Sequence, residues 1–237
     1  MNIFVVSLNS GDGKTVISAG IAAVMQSLGY SAGVYKPIQT NAIDKSKYLI
    51  SPDLAFVKML DPYITTHSTY MYKSNTIPAY AAITENKPID IQEIIRDYNI
   101  LSKKTDIILT EATGTLITPI AENTFNYNIA LELNLPIIFV ITPSTNSVNH
   151  YLNEINTAKT MGLNISGTII NKFSVYSDSQ EIKTFPEIIE KYSDVKILGL
   201  IRNFKGKSVS TNALINEIIN GIDLEDLFQM KIPKLNV

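Results

Sequence analysis

The sequence predicts a single α/β domain built on a doubly wound parallel sheet. Three observations support this: the 237 residues suit one domain, apolar residues make up 45% of the chain, and short apolar segments alternate with helical patterns. Strands that are apolar on both faces are typical of a parallel sheet covered by helices on each side. The sequence has no internal repeat or low-complexity linker, so we expect residues 1–237 to form one domain.

Six short segments are predicted as buried strands, because each is apolar, rich in β-forming residues and bounded by turn residues. They cover residues 3–6, 32–35, 107–109, 137–141, 167–170 and 197–200. The polar residues 41–52 are predicted as a loop. Five or six alternations of strand and helix are the pattern of a doubly wound sheet.

Five helical patterns lie between or after these strands, at residues 15–28, 91–101, 147–161, 181–192 and 212–219. Gly29 and Gly162 follow two of them as stop signals. Pro186 predicts a break within the fourth helix, because proline lacks the N–H that a helix interior uses. Residues 230–237 contain Pro233 and are expected to form a frayed tail.

The composition argues against several classes of function. Twenty Lys and Arg against 22 Asp and Glu leave a formal charge of −2, which gives no support to non-specific nucleic-acid binding. The absence of cysteine excludes disulfides, thiolate nucleophiles and Cys-ligated zinc, and two histidines are too few for a His-rich metal site. With no bilayer-length apolar run and no basic N-terminal leader, we expect a cytoplasmic protein with no membrane or nucleic-acid partner.

The strongest motif follows the first predicted strand. Residues 7–15 read Ser-Leu-Asn-Ser-Gly-Asp-Gly-Lys-Thr and lead into a helical pattern. Backbone N–H groups and the helix dipole at such a junction bind phosphate. Lys14 is expected to reach the β- and γ-phosphates, and the Thr15 hydroxyl to ligate Mg²⁺. Leu8 stands where the strict motif has Gly, so a Gly-rich turn that only caps the helix is the alternative.

Charged residues also follow the next two strands, where open α/β sheets bind their ligands. Lys36 follows the second strand, and Glu111 follows the third. Asp53 opens a further helical segment, and a carboxylate there or at a strand end can hold Mg²⁺. Taken singly, Lys36 reads as a surface lysine and Asp53 as a helix-capping residue, but together they predict one crevice.

The start of the third helical pattern admits two interpretations. Residues 144–147 are good capping residues, so this is an ordinary helix N-terminus or one that binds a substrate carboxylate. His150 is interpreted as a packed or interface residue and not as a catalytic one.

Together these segments resemble the dethiobiotin synthetase family over about residues 1–201. Residues 36–40 read Lys-Pro-Ile-Gln-Thr, like the family's Lys-Pro-Ile-Gln-Ser/Thr, and residues 12–15 are similar to its Val-Gly-Lys-Thr. Residues 110–115, followed by Pro119, resemble its Val-Glu-Gly-Ala-Gly-Gly segment, and residues 148–152 its Ile-Asn-His-x-Leu helix start. Asp53 and Asn171 match its helix-start Asp and strand-end Asn.

The resemblance implies a P-loop NTPase-like fold and an ATP- and Mg²⁺-dependent homodimeric ligase. The family's reaction adds CO₂ to 7,8-diaminopelargonate and closes the cyclic urea of dethiobiotin through a phosphorylated carbamate. By resemblance, Lys14 and Lys36 are catalytic, and the metal ligands are Thr15, Asp53 and Glu111. The implied nucleotide-binding residues are Ser10, Gly11, Asp12, Gly13, Lys14, Thr15 and Asn171. The implied substrate-binding residues are Lys36, Thr40 and, across the dimer interface, Asn146, Ser147 and Asn149.

The sequence also departs from the family pattern. Ser7 and Leu8 replace a Gly-Thr pair, Asp12 replaces an apolar residue, Ala79 replaces the His of a Ser-Pro-His segment, and Arg202 ends a segment that closes with Pro in the family. Two alternatives therefore stay open: a related amidoligase acting on a corrin carboxylate, and a non-catalytic nucleotide switch of the ParA/MinD type. The second is disfavoured because Asn9 stands where that class carries a signature Lys.

Overall fold

The computed structural model describes residues 2–174, 176–204 and 210–232. Its strands are β1 (Asn2–Ser7), β2 (Ala32–Tyr35), β3 (Ile38–Gln39), β4 (Ile43–Asp44), β5 (Leu49–Ile50), β6 (Thr65–His67), β7 (Tyr70–Met71), β8 (Ile107–Glu111), β9 (Pro119–Ala121), β10 (Thr124–Phe125), β11 (Ile137–Ile141), β12 (Ile165–Phe173) and β13 (Ile197–Arg202). Its helices are α1 (Lys14–Ser27), α2 (Pro52–Leu60), α3 (Pro78–Thr84), α4 (Ile91–Ser102), α5 (Asn126–Glu132), α6 (Thr145–Thr160), α7 (Gln180–Ser193), α8 (Thr211–Gly221) and α9 (Leu224–Phe228).

The centre of the fold is a seven-stranded sheet of order β13-β12-β11-β1-β8-β2-β6. Every neighbouring pair in it is parallel. Along β1 the side chains alternate between two buried apolar clusters, with Phe4 and Val6 in one and Ile3 and Val5 in the other. Helices cover both faces of the sheet, which confirms the predicted doubly wound α/β architecture.

The strand predictions hold at the centre of the sheet and fail at its margins. The second and fourth predicted strands have the observed bounds, and the other four are two to five residues longer in the structure. The sequence analysis missed β6, the edge strand, which has three residues and is not fully buried. The predicted loop at 41–52 is wrong in part, because β4 and β5 pair there as an antiparallel hairpin and α2 begins at Pro52.

The helix predictions are within one to two residues at most ends, but the predicted break at Pro186 is wrong. α7 runs through this proline without interruption. Phe185 and Ile189 lie on the buried face of α7, and their packing offsets the backbone hydrogen bond that proline removes. In the predicted frayed tail, the N–H groups of Met230 and Ile232 donate to Glu225, and residues 233–237 lie outside the described part of the chain.

Candidate active site

A cavity of about 340 Å³ opens at the carboxyl ends of β1, β2 and β8. The parallel topology brings these three strand ends to one edge of the sheet, next to the start of α1. Nine residues singled out from the sequence line it: Ser10, Gly11, Gly13, Lys14, Thr15, Lys36, Thr40, Asp53 and Glu111. The cavity therefore collects residues from separate parts of the chain at one place.

The loop between β1 and α1, residues 8–13, depends on two glycines with left-handed backbone conformations. Gly11 has φ of 89° and Gly13 has φ of 93°, values that side chains disfavour. The buried Asp12 carboxylate accepts the Asn9 N–H at 2.8 Å, so this departure from the family pattern braces the loop from within. Burial raises the pKa of Asp12, although the bond from Asn9 and the attraction of Lys14 act to lower it.

Lys14 enters the cavity from the first residue of α1. Its Nζ donates to the Ser7 hydroxyl at 2.6 Å, and that hydroxyl donates onward to the Asn9 carbonyl at 2.9 Å. Burial lowers the pKa of Lys14, and the attraction of Glu111 opposes this only partly. A second negative group near Lys14 would therefore stabilise its ammonium.

Lys36, at the end of β2, lies between two carboxylates. Its Nζ is 2.6 Å from Asp53 Oδ2 and 2.7 Å from Glu111 Oε1. Burial acts to lower the pKa of Lys36, but the attraction of Glu111 and Asp53 outweighs it and the pKa is raised. Asp53 is held in the first turn of α2, whose N-cap is Ser51.

The oxygen atoms at this edge fit a divalent cation. The Thr15 hydroxyl donates to Glu111 Oε1 at 2.8 Å, while Glu111 Oε2 is buried and has no hydrogen-bond partner among the described residues. Carboxylate and hydroxyl oxygens are ligands that Mg²⁺ uses, with the remaining positions left to water and phosphate. No three His, Cys, Asp or Glu residues cluster in the described ranges, so a site here has two carboxylates and Thr15.

Among the other predicted residues, Asn171, Ser147 and Asn149 do not line this cavity. Asn171 is buried at the end of β12, and its Nδ2 donates to the Asp12 carbonyl at 2.8 Å. Ser147 is buried in the capping box of α6, where its hydroxyl donates to the Ser144 carbonyl at 2.7 Å. Asn149 is exposed on α6, and the side chain of Asn146 lies outside the described residues. Their predicted roles toward base and substrate stay predictions.

Several cavity residues were not singled out from the sequence. Gln39 lies inside the Lys-Pro-Ile-Gln-Thr segment, and its Oε1 accepts the Ser51 hydroxyl at 2.5 Å. Asn41, Asn75 and Thr113 also line the cavity. Gln39 and Thr113 were within reach of sequence reasoning, since each belongs to a quoted motif, but Asn75 has no local signal.

Two buried polar side chains hold the segment after Glu111 from behind. Asn126 Nδ2 donates to the carbonyls of Thr113 and Thr115, both at 2.8 Å. The Glu154 carboxylate, on α6, accepts the Leu116 N–H at 3.0 Å. Burial raises the pKa of Glu154, against the bonds from Leu116 and Thr115, which lower it. These contacts fix the cavity wall that Thr113 and Gly114 form.

Comparison with known proteins identifies the family of the chain. Residues 1–206 match the family described as AAA domain (AAA_26). An ATP-dependent dethiobiotin synthetase of Bacillus cereus is 30% identical, with 95% of this chain and 94% of the relative covered. The enzyme of that name from Bacillus subtilis is 30% identical, with 83% of this chain and 85% of the relative covered. The one from Clostridium kluyveri is 29% identical, with 86% of each chain covered.

Solved structures with the same fold belong to differently named proteins. The MinC:MinD cell division complex of Aquifex aeolicus aligns with a TM-score of 0.61 at 15% identity, covering 98% of this chain and 97% of that one. MinD of Pyrococcus horikoshii, complexed with Mg-ADP, gives a TM-score of 0.58 at 20% identity, covering 91% and 85%. At such identities these likenesses show the fold alone.

No helix in the described ranges has the length and apolarity that crossing a membrane requires.

Proposed function

Because the chain belongs to the ATP-dependent dethiobiotin synthetase family, we propose that it carboxylates 7,8-diaminopelargonate and closes the cyclic urea of dethiobiotin. The observation that carries the proposal is the convergence of Lys14, Lys36, Asp53 and Glu111 on one cavity. A carbamate anion must approach a polyphosphate in this reaction, and the repulsion between them is strong in a crevice of low dielectric. Two lysines at the meeting point, the buried Lys36 and the partly buried Lys14, supply the opposing charge.

The reaction has three balanced steps. A substrate amine adds to CO₂ and loses a proton, which gives a carbamate. A carbamate oxygen then attacks the γ-phosphorus of ATP, and the bond to the bridging oxygen breaks to release ADP. The second amine attacks the carbamoyl carbon, loses its proton and expels phosphate as the ring closes. The protein contributes position and charge in each step.

Six side chains of the cavity and the loop backbone have roles in this scheme. Lys14 neutralises the transferred phosphoryl group, and Lys36 stabilises the carbamate. Thr40, which lines the cavity, hydrogen-bonds the substrate. Thr15, Asp53 and Glu111 hold Mg²⁺, which when bound neutralises the polyphosphate. The backbone of residues 10–13 binds the phosphates.

The substrate carboxylate is assigned to a second copy of the chain. A helix N-terminus suits an anion, and Ser147 and Asn149 of α6 do not line the cavity of their own chain. In a homodimer the first turn of α6, with Asn146, Ser147 and Asn149, serves the partner's site. The hydroxyl and the N–H of Ser147 are both used within the capping box, so the part of Ser147 in this binding is to hold the helix end in place.

The test is phosphate release from Mg-ATP and bicarbonate, measured with and without diaminopelargonate. We expect release to require the diamine, dethiobiotin to form in equal amount, and Lys36→Ala to abolish turnover. Unchanged turnover in Lys36→Ala would overturn the mechanism. Binding of nucleotide without diamine-dependent release would reject the substrate assignment, and a corrin carboxylate would then be tried to test the amidoligase alternative. ATP-dependent dimerisation without any release would instead favour a nucleotide switch.

A further inference from the structure

The end of β12 contacts the outer side of the loop at residues 8–13 at two consecutive positions. Asn171 Nδ2 donates to the Asp12 carbonyl at 2.8 Å, and Lys172 Nζ donates to the Gly11 carbonyl at 2.6 Å. Successive side chains of a regular strand point to opposite faces, so a regular strand would not direct Asn171 and Lys172 to the same loop.

A bulge makes this pair of contacts possible. Ile170 pairs with Leu200 and Phe173 pairs with Arg202, so β12 has one more residue than β13 between these pairs. Lys172 occupies the bulge with φ of 55°, a left-handed conformation that Gly or Asn adopts more readily. Lys172 therefore reaches the Gly11 carbonyl from a strained backbone conformation.

The two contacts orient the loop peptides. A trans peptide directs its C=O and N–H to opposite sides, so the bond from Asn171 to the Asp12 carbonyl turns the Gly13 N–H away from β12. A Cβ at Gly13 would lie 2.2 Å from Asn171 Nδ2, which shows how closely the amide packs on the loop. The bond from Lys172 fixes the preceding peptide, whose N–H, that of Asp12, donates to the Asn9 carbonyl at 3.4 Å within the loop. The charge of Lys172 lies beside Gly11, which lines the cavity.

We propose that Lys172 is a positioning residue of the nucleotide site. Its ammonium, together with the Asn171 amide, holds the Gly11 and Asp12 carbonyls on the far side of the loop, so that the loop keeps its shape and the Gly13 N–H stays directed toward a polyphosphate. This inference rests on the proposed function only for the binding of nucleotide at the loop, and it is independent of which amine or carboxylate is the second substrate. The ligand it concerns is a polyphosphate, whatever its base.

The test compares variants that separate charge from backbone strain. Lys172→Gly removes the cation and relieves the left-handed conformation, and Lys172→Arg keeps the cation. Lys159→Ala is the matched control, because Lys159 Nζ also donates to a backbone carbonyl far along the chain, that of Ser193, at 3.0 Å. Lys159 lies in the last turn of α6 and does not line the cavity. Calorimetric titrations use Mg-ATP, Mg-GTP and inorganic tripolyphosphate with Mg²⁺, and the melting temperature is measured for each variant.

We expect Lys172→Gly to weaken all three ligands by the same factor, about tenfold for one charge-assisted hydrogen bond, without lowering the melting temperature. Lys172→Arg should restore most of the affinity, and Lys159→Ala should match the wild type. In turnover assays the loss should appear in the KM for ATP and not in kcat.

Unchanged affinity in Lys172→Gly would overturn the inference, and so would a Lys172→Arg variant as weak as Lys172→Gly. A loss confined to ATP, with tripolyphosphate unaffected, would assign the contact to the base and also reject the inference. Failure of the wild-type protein to bind Mg-ATP would refute the nucleotide site itself. Normal binding without diamine-dependent phosphate release would refute only the proposed substrate.

Discussion

Lys14 and Lys36 reach the same cavity from two strand ends, but the protein holds them in different ways. Lys36 lies in contact with two carboxylates, at 2.6 Å and 2.7 Å. Lys14 instead donates to the neutral hydroxyl of Ser7. Burial acts on both ammonium groups, yet the pKa of Lys36 is raised and that of Lys14 is lowered. The carboxylates that contact Lys36 account for the difference.

This difference indicates a division of labour. Lys36 is already balanced in the structure, so its main task before substrate arrives is to keep two acidic side chains together at the cavity wall. Among the described residues no carboxylate contacts Lys14, so the negative charge that would offset the burial of its ammonium comes from a bound phosphate. Lys36 is therefore expected to matter for folding and turnover, and Lys14 mainly for nucleotide affinity.

The largest effect is expected for Lys36→Met. Removing one partner of a buried ion pair leaves uncompensated charge, which costs about 3 kcal/mol or more of unfolding free energy. Asp53 and Glu111 would face each other without the cation, and turnover should fall to background. Urea denaturation at pH 7 measures the stability. Lys73→Met is the control, because its 2.7 Å pair with Asp44 is exposed and its loss should leave the unfolding midpoint unchanged. Equal midpoints for both variants would contradict the comparison.

Lys14→Met is expected to separate binding from stability. Affinity for Mg-ATP should fall about 100-fold, since a charge-assisted contact to phosphate is lost. The unfolding free energy should stay the same or rise, because burial disfavours the ammonium of Lys14 in the absence of ligand. Calorimetry and urea denaturation measure the two quantities on the same preparation. A stability loss as large as that of Lys36→Met would mean that Lys14 is also a structural ion-pair partner.

Glu154 extends the comparison to a buried carboxylate with neutral partners. Its raised pKa means that the folded protein binds a proton more tightly than the unfolded chain. The stability contribution is therefore present below the ordinary carboxyl value of 4.5 and is lost as pH rises through the folded-state value. Glu154→Gln keeps an acceptor for the Leu116 N–H and should be more stable than the wild type at pH 7, with the difference vanishing at pH 4.

The readout for Glu154→Gln is urea denaturation between pH 4 and pH 8. Glu187→Gln, an exposed position on α7, is the control and should follow the wild type at each pH. A destabilised Glu154→Gln at pH 7 would show that the ionised carboxylate is the form that holds the segment after Glu111.

Sequence reasoning located the cavity because its key residues follow predicted strands, and parallel strands end at one edge of a sheet. Lys36, Asp53 and Glu111 were expected there, and the structure brings them within contact distance. The features that the sequence does not reveal depend on tertiary structure. Lys172 carries no signal, because its aim comes from a bulge against β13, and the helix persists through Pro186 because of packing on the sheet.

The fit between sequence and fold is closest where elements are buried on both sides. β2 and β11 have the predicted bounds, since their continuous apolar segments meet helices on each face. The edge strand β6 escaped notice because its polar residues suit an exposed strand as well as a loop, and the β4–β5 hairpin escaped notice because each of its strands has only two residues. Neither the sequence nor the structure of a single chain identifies what the start of α6 binds, because the proposed contact is to the cavity of a second copy.

The smallest effect is expected for Ser7→Ala, which tests how firmly Lys14 is held before nucleotide binds. Ser7 replaces a small residue of the family pattern, and its hydroxyl accepts the Lys14 ammonium at 2.6 Å. Phosphate binding must displace or share this bond, so its removal should tighten Mg-ATP binding about threefold, the size of a modest net hydrogen bond. Ser18→Ala is the control, since its buried hydroxyl has no partner among the described residues and affinity should not change. Weaker binding in Ser7→Ala would mean that the hydroxyl presents Lys14 to the phosphate. Lys14 and Lys36 would then both be held in position by their partners, and would differ only in whether the partner is neutral or charged.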